Sequence, residues 1–317
     1  MRIAVVGAGG VGGYFGARLA AGGHEVTFVA RGRHLEAIRD RGLLVRSPLG
    51  DLKVPATSVV ATIAELGPAD VVLVAVKLWD TEDVAAQLRD VVNEGTRVIS
   101  LQNGVRKDAV LRRYLPAQNV WGGVCYISAV IEEPGVVAHR GAMQKVVFGP
   151  YDDADTQRAG GFLEACVSSG IEAELSSDIE RVIWEKFVFL VGLSATTSAV
   201  RQPVGVIRSD ARARELLHDV MAEAVNVGRA AGVRLDPDFA DERLAFYDTL
   251  PPAMTSSMHH DLMQGNRLEL PWLSGSVVDL GRELGIPTPR NQTIADVLAP
   301  YELGRPIRTA EPHRGVQ

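Results

Sequence analysis

Apolar and polar positions follow two rhythms along the chain, and the change falls near residue 176. Before it, short apolar runs alternate with amphipathic stretches. Runs at 2–6, 25–30, 70–77 and 96–102 read as strands, and helical spacing covers 10–21, 34–41 and 81–92. The run at 70–77 is apolar at nearly every position, as in a parallel strand covered on both faces. Residues 43–46 and 52–54 read as strands joined by the turn 47–51, and 61–66 as a short helix. Runs at 121–131, 135–139 and 145–149 predict an antiparallel extension of the sheet. A helix at 155–169 and a last strand at 171–175 complete this part. Beyond Asp178, an expected N-cap, no alternating pattern returns. Helical spacing covers 179–199, 211–231, 237–249 and 270–284, and Thr288-Pro289 opens a last helix. The expectation is an α/β domain at 1–176, an all-helical domain at 177–303 and a flexible tail at 304–317.

The first strand runs into Gly7-Ala8-Gly9-Gly10-Val11-Gly12, and a helical pattern starts at once. Strand, G-x-G-x-x-G turn, helix and second strand stand in the order of a Rossmann-type dinucleotide fold. Gly7 permits the tight turn, Gly9 lets backbone approach a pyrophosphate, and Gly12 lets the helix pack close to the strand. The helix N-terminus then favours the anion. The second strand ends in Ala30, Arg31 and Arg33 rather than in the carboxylate that holds a ribose 2′-hydroxyl. A guanidinium suits a 2′-phosphate by charge and by forked geometry, so NADP(H) is favoured over NAD(H).

Two further strands deliver polar residues to the same rim: Lys77 at the end of 70–77, and Asn103-Gly104 after 96–102. Ligands of open α/β sheets gather beyond those ends. In the helical half, Lys186 lies in the apolar stretch Trp184-Glu185-Lys186-Phe187. Such a lysine snorkels, pairs, or lines a wet cleft, and cleft burial would bring its pKa toward the range useful for proton donation.

Composition narrows the classes. A length of 317 residues fits about two domains, and 46% hydrophobic with 23% charged residues is ordinary for a globular protein. A net charge of −6 disfavours nucleic acid as the partner. Cys125 and Cys166 read as small core residues, not as a disulfide or metal site. His139 alternates with apolar residues and reads as structural; His259-His260 lacks a third ligand at useful spacing, so no metal is expected. The start shows no signal-peptide pattern and no apolar run is expected to reach membrane-spanning length, which makes a cytoplasmic protein the expectation.

Taken together, these residues resemble the ketopantoate (2-dehydropantoate) 2-reductases over roughly residues 1–302. The resemblance is carried by the glycine turn, Arg31, Lys77, Asn103-Gly104, Trp184-Glu185-Lys186, Ser256-Ser257-Met258 and Glu269. It implies a Rossmann-type domain followed by an all-α domain like the C-terminal domain of 6-phosphogluconate dehydrogenase, and a homodimer. It implies NADPH-dependent reduction of a 2-oxo acid to a 2-hydroxy acid, first of all 2-dehydropantoate to (R)-pantoate in pantothenate biosynthesis. Lys186 would be the general acid, and Glu269 would hydrogen-bond the substrate or orient Lys186. Ser257 and Ser194 would contact substrate, and Lys77 and Asn103 would hold both the nicotinamide end and the substrate.

The chain departs from the family pattern at three positions. Asparagines typically stand four and eight residues after the lysine, and three before the second serine; here they are Leu190, Ser194 and Met254. The pocket is thereby more apolar, which opens a different 2-oxo acid or small ketone as substrate. A 3-hydroxyacid or opine-type dehydrogenase is disfavoured by the Trp184/Lys186 and Ser257/Glu269 set. A non-catalytic NADP(H) sensor would leave Lys186 and Glu269 dispensable.

Overall fold

Strand β1 (Arg2–Val6) sits inside a ten-stranded sheet, paired in parallel with β2 (Glu25–Val29) on one side and β6 (Val71–Val74) on the other. The structure is a computed structural model and describes residues 1–54, 58–152 and 155–304. The other strands are β3 (Leu43–Arg46), β4 (Leu52–Val54), β5 (Ser58–Val60), β7 (Arg97–Ser100), β8 (Val120–Glu133), β9 (Val136–Gly149) and β10 (Glu172–Leu175). Their order is β4-β3-β9-β8-β7-β6-β1-β2-β5, with β10 paired to β9. The sheet belongs to the first of two compact units, Met1–Trp184 and Glu185–Gln317.

The central strands are apolar throughout because both faces are covered. Ile3, Val5, Val71, Leu73 and Ile99 point into one core, shared with α1 (Gly10–Ala21), α2 (Gly32–Arg41) and α5 (Thr156–Ser168) through Phe15, Ile38 and Phe162. Their neighbours Ala4, Val6, Val72, Val74 and Val98 point the other way. There they meet Val84 and Leu88 of α3 (Thr81–Leu88) and Leu111 of α4 (Lys107–Arg112). Each fully buried large aliphatic or Phe side chain is worth about 1.5–3 kcal/mol of transfer free energy.

Several boundaries differ from the sequence expectation. Strands β6 and β7 stop at Val74 and Ser100, so Lys77 and Asn103 lie in loops beyond them. The ladder adds only Ala75 N–H to Val6 O (2.8 Å) and Leu101 N–H to Val74 O (2.9 Å) before the chain turns away. The runs at 135–139 and 145–149 are one strand, β9, antiparallel to β8. A register shift at Ile127/Ala129 and a positive φ of +78° at Gly141 mark a bulge between them. His139 spans that bulge: its Nε2–H donates to Met143 O (3.0 Å), and Nδ1 accepts from the Ser47 hydroxyl (2.9 Å). An interruption in the pattern therefore marks an irregular ladder, not its end.

Helix α6 (Ile179–Val200) opens the helical half, with Asp178 Oδ1 accepting from Arg181 N–H at 3.4 Å. Ile179 and Ile183 pack on Val124 and Val147 of the sheet, so the first turns of α6 belong to the core of the first unit. The compact units accordingly divide inside this helix, at Trp184/Glu185. By length and composition α6 could cross a membrane, contrary to the sequence expectation, but 67% of its most apolar window is buried inside the fold. The remaining helices are α7 (Val204–Ser209), α8 (Ala211–Ala230), α9 (Phe239–Thr249), α10 (Ser257–Gln264), α11 (Ser274–Leu284) and α12 (Pro289–Leu298). Pro271 splits the single helix expected at 270–284 into a 3-10 turn, Leu270–Trp272, and α11. Helix α8 packs against α7, α9, α11 and α12. The start of α12 is capped from across this bundle: Glu223 of α8 accepts from Arg290 N–H (2.7 Å) and Asn291 N–H (2.9 Å), whereas Thr288 makes no side-chain cap. Of the tail expected at 304–317, only Gly304 falls within the described residues.

Candidate active site

The glycine turn follows directly from β1. Gly7 has φ +101°, and the N–H groups of Gly7 and Ala8 both donate to Val29 O, at 3.1 and 3.2 Å. This fastens the turn to the end of β2. Gly9 is the N-cap of α1 and supplies no side chain to its orphan N–H groups; the first helical turn carries no acid. A Cβ on Gly12 would stand 2.1 Å from Gly7 O and 2.9 Å from Val5 Cγ1, so only glycine lets the helix lie this close to the strand. A Cβ on Gly9 would meet nothing within 4 Å. Gly10 lies close to the sheet, its Cβ position 2.1 Å from Ala129 O. Ala8 is buried and Val11 half-buried. The backbone thus offers an anion an approach at Gly9 while Gly12 fixes the helix behind it. The residues present fit the pyrophosphate of a dinucleotide.

Polar residues stand around this turn at the ends of β2, β6 and β7. Arg31, the N-cap of α2, is exposed over 84% of its side chain and donates to Asp80 Oδ2 at 2.9 Å. Asp80 follows β6, so the pair spans the end of β1 between the two strands. Lys77 is exposed, with Nζ 5.6 Å from the centroid of the Trp79 ring. Asn103 is half-buried, and Gly104 turns with φ +88°. Gln102 ties these loops together. Its Nε2 donates to Val76 O (3.0 Å) and to Thr81 Oγ1 (2.7 Å), while its Oε1 accepts from Ser100 Oγ (2.8 Å). The segments carrying Lys77 and Asn103 are therefore cross-linked by one buried amide. Behind Asn103 lies a buried ion pair, Lys107 Nζ to Asp108 at 2.8 and 2.9 Å, with Tyr151 OH donating to Asp108 Oδ2 (2.8 Å). Burial and that carboxylate push the Tyr151 phenol well above its ordinary pKa.

In the second unit, Lys186, Leu190 and Ser194 lie at i, i+4 and i+8 on α6. Lys186 and Leu190 are half-buried and Ser194 is buried, at 2% exposure. Thr197, eleven residues after Lys186, returns to nearly the same face of the helix about 16 Å further along. There the N-terminus of α10 meets α6. Thr197 Oγ1 is 3.3 Å from Ser256 Oγ, and His259 Nδ1–H donates to Thr197 O at 2.7 Å. Ser256 is the N-cap of α10, accepting from His259 N–H at 2.9 Å, which leaves Ser257 exposed at the first helical position. Met254 is half-buried and its carbonyl accepts from Val204 N–H (2.9 Å). Glu269 is buried, at 8% exposure, and its carbonyl starts the 3-10 turn broken by Pro271.

Sequence reading did not single out Trp79, Asp80, Gln102 or the Lys107–Asp108 pair. Gln102 adjoins Asn103 in a strand-end pattern and could have been found; Asp80 could not, since its partner is 49 residues away.

The family model described as "Ketopantoate reductase PanE/ApbA" matches residues 3–153, and that of its C-terminal domain matches residues 178–302. A 2-dehydropantoate 2-reductase of Halobacterium salinarum is 32% identical over 299 residues, covering 94% of this chain and 98% of that protein. A PanE/ApbA family ketopantoate reductase structure from Ralstonia eutropha superposes with a TM-score of 0.87 at 31% identity, covering 95% of this chain and 98% of that one. A D-mandelate dehydrogenase bound to NADH and anilino(oxo)acetate shares the fold, with a TM-score of 0.86 at 21% identity over 95% of this chain and 98% of its own.

Proposed function

The chain belongs to the ketopantoate reductase family, and from that premise we propose that it reduces a 2-oxo acid to a 2-hydroxy acid with NADPH, ketopantoate being the first candidate. The family is one of oxidoreductases. The observation that carries the cofactor half is the rim of the first unit, with Gly9 open, Gly12 closed against Gly7, and Arg31, Lys77 and Asn103 at the ends of flanking strands. The α1 N-terminus holds the pyrophosphate, and the Arg31 guanidinium reads a 2′-phosphate by charge and fork. Reduced nicotinamide, when bound, supplies the hydride.

The protein's own residues handle charge and protons. Hydride arrival at a carbonyl builds negative charge on oxygen, and the Lys186 ammonium stabilises it and then donates its proton. Glu269 hydrogen-bonds the substrate or orients Lys186, and Ser257 contacts the substrate carboxylate. Lys77 and Asn103 serve the nicotinamide end and the substrate. A second reading, a family member acting on a different 2-oxo acid, is supported by Leu190, Ser194 and Met254 in place of three asparagines. A pocket without those amides lacks partners for a substrate hydroxyl.

The test is NADPH oxidation, followed by absorbance, against ketopantoate and a panel of bulkier, more apolar 2-oxo acids, with NADH as control. Turnover of ketopantoate with kcat/KM of about 10⁴ M⁻¹s⁻¹ or more supports the first reading. Turnover confined to other oxo acids supports the second. Substituting Lys186→Ala should abolish turnover while NADPH binding survives. Binding of NADPH without turnover of any substrate would refute both readings in favour of a sensor.

A further inference from the structure

One imidazole joins three segments that are far apart in sequence. His34, in the first turn of α2, places Nε2 2.8 Å from Ala8 O of the glycine turn and Nδ1 3.0 Å from Gly135 N at the β8–β9 turn. The partners fix the tautomer. Gly135 N–H can only donate, so Nδ1 is unprotonated; Ala8 O can only accept, so Nε2 carries the hydrogen. We infer that neutral His34 is a positioning residue for the phosphate-binding turn, and that its protonation weakens dinucleotide binding. This inference rests on the dinucleotide reading of the glycine turn.

The chemistry follows from which nitrogen takes the added proton. Nε2 already bears one, so the proton goes to Nδ1 and confronts the Gly135 N–H with a second donor. That bond is lost, and the imidazole is released from the hairpin that holds it in place. The positive charge is shared by both ring nitrogens, but Nε2–H stays committed to Ala8 O and offers a phosphate no donor, so loss of the hairpin anchor sets the sign. Ala8 lies between Gly7 and Gly9, and its carbonyl direction sets the orientation of the peptide beside the anion approach.

The surroundings favour the neutral form. Burial lowers the imidazole pKa below its ordinary value, opposed only by the bond to Ala8 O. Charged groups on the adjoining elements are engaged elsewhere or exposed. Arg31 pairs with Asp80, and Arg41 donates to Pro134 O at 3.1 Å. Glu132 and Glu133 face Arg46, and Arg33 and Glu36 are exposed. The glycine turn itself carries no ionisable side chain. The clamp is therefore complete above the ordinary histidine range and is lost as pH falls through the lowered pKa.

The experiment measures the NADPH dissociation constant, by fluorescence titration of the full chain, from about pH 8 to about pH 5. Wild type is compared with His34→Gln, whose amide can donate to Ala8 O without titrating, and with His34→Leu, which fills the space and makes neither bond. Taking the ratio of wild type to variant at each pH cancels titration of the cofactor's own phosphates. At about fivefold for a single such bond, His34→Leu, which makes neither, should bind at least about fivefold more weakly at neutral pH. Wild type should weaken by a similar factor at acid pH relative to His34→Gln, which stays flat. Parallel pH profiles for wild type and His34→Gln, or unweakened binding by His34→Leu, would overturn the inference while leaving the cofactor reading intact. Failure of wild type to bind either NADPH or NADH at any pH would overturn the cofactor reading and this inference with it.

Discussion

The same substitution at two glycines of one turn should have opposite consequences. At Gly12 a Cβ would stand 2.1 Å from the Gly7 carbonyl oxygen, 2.9 Å from Val5 Cγ1 and 3.0 Å from Ala75 Cβ. The first of these is backbone that is itself fixed between β1 and β2. Relief requires α1 to move off β1 by roughly 1 Å, toward the ordinary contact distances at which dispersion is favourable. Overpacking of this kind typically costs about 1–3 kcal/mol, and immobile backbone puts Gly12→Ala at the upper end. At Gly9 a Cβ meets nothing within 4 Å, and φ −70°, ψ −164° suits any residue. Gly9→Ala should leave the apo fold unchanged or stabilise it by about 0.4–1 kcal/mol through the unfolded chain. The methyl group would nevertheless stand where the pyrophosphate must approach. Loss of one or two charge-assisted hydrogen bonds, each about 1.5–3 kcal/mol, weakens NADPH by tenfold to a hundredfold or more. Thermal unfolding followed by circular dichroism, beside fluorescence titration with NADPH, separates the two. Gly12→Ala should lower Tm by several degrees; Gly9→Ala should keep Tm and lose affinity. A Gly9→Ala protein that binds NADPH like wild type, or melts as early as Gly12→Ala, would refute the assignment of the turn.

Other consequences concern residues around the turn and within the helical unit. Asp80→Asn removes the negative charge beside an Arg31 guanidinium that is 84% exposed, a pair worth about 0–1 kcal/mol. Freed Arg31 should tighten NADPH by up to about fivefold while NADH hardly changes, and equal shifts for both cofactors would contradict the pairing. Gln102→Leu deletes donors to Val76 O and Thr81 Oγ1 and should cost about 1–3 kcal/mol while raising KM through looser Lys77 and Asn103 loops. Unchanged kinetics would show that those loops hold themselves. Glu223→Leu strips both cap bonds from α12 and should destabilise by about 2–4 kcal/mol in a denaturant titration. A loss below about 0.5 kcal/mol would mean water replaces the cap.

What sequence reveals here is what is local. The glycine turn declares itself within six residues because its spacing and the strand and helix that flank it are contiguous, although the atoms that crowd Gly7 and Gly10 belong to Ala75 and Ala129. The first two strands and their helix follow, since period and punctuation agree. Lys77 and Asn103 are legible as strand-end residues, although both lie beyond the strands proper, where the ladder yields to Gln102. Short helices such as α7 and α10 escape because six to eight residues complete too few turns to show a period. The break in the segment 270–284 was signalled by Pro271 and should have been read from it. Long-range partners carry no such signal. Arg31 meets Asp80 across β1, and His34 meets Gly135 at a separation of 101 residues. Glu223 occupies an intermediate place: a carboxylate amid buried Val220, Met221, Ala224 and Val225 demands a partner, but not that the partner be the start of α12.

Anchoring is uneven around the turn, and this bears on how cofactor choice could be divided within one site. The pyrophosphate end is fixed by Val29 O, by His34 and by the close approach of Gly10 to Ala129, each from a different strand or helix. Little ordering remains for that segment to undergo on binding, so its contacts convert efficiently into affinity. The arginine end is built differently: a guanidinium exposed over most of its length, restrained by one carboxylate. Such a group adapts at low cost, and its screened charge separates a 2′-phosphate from a 2′-hydroxyl by a modest factor. Substitutions at Arg31 or Asp80 should therefore move the NADPH-to-NADH ratio without moving the affinity common to both. Substitutions at Gly9 or His34 should move both cofactors together. Double-mutant cycles between Asp80→Asn and His34→Leu test this division, with additive binding free energies, within about 0.5 kcal/mol, expected if the two ends act independently.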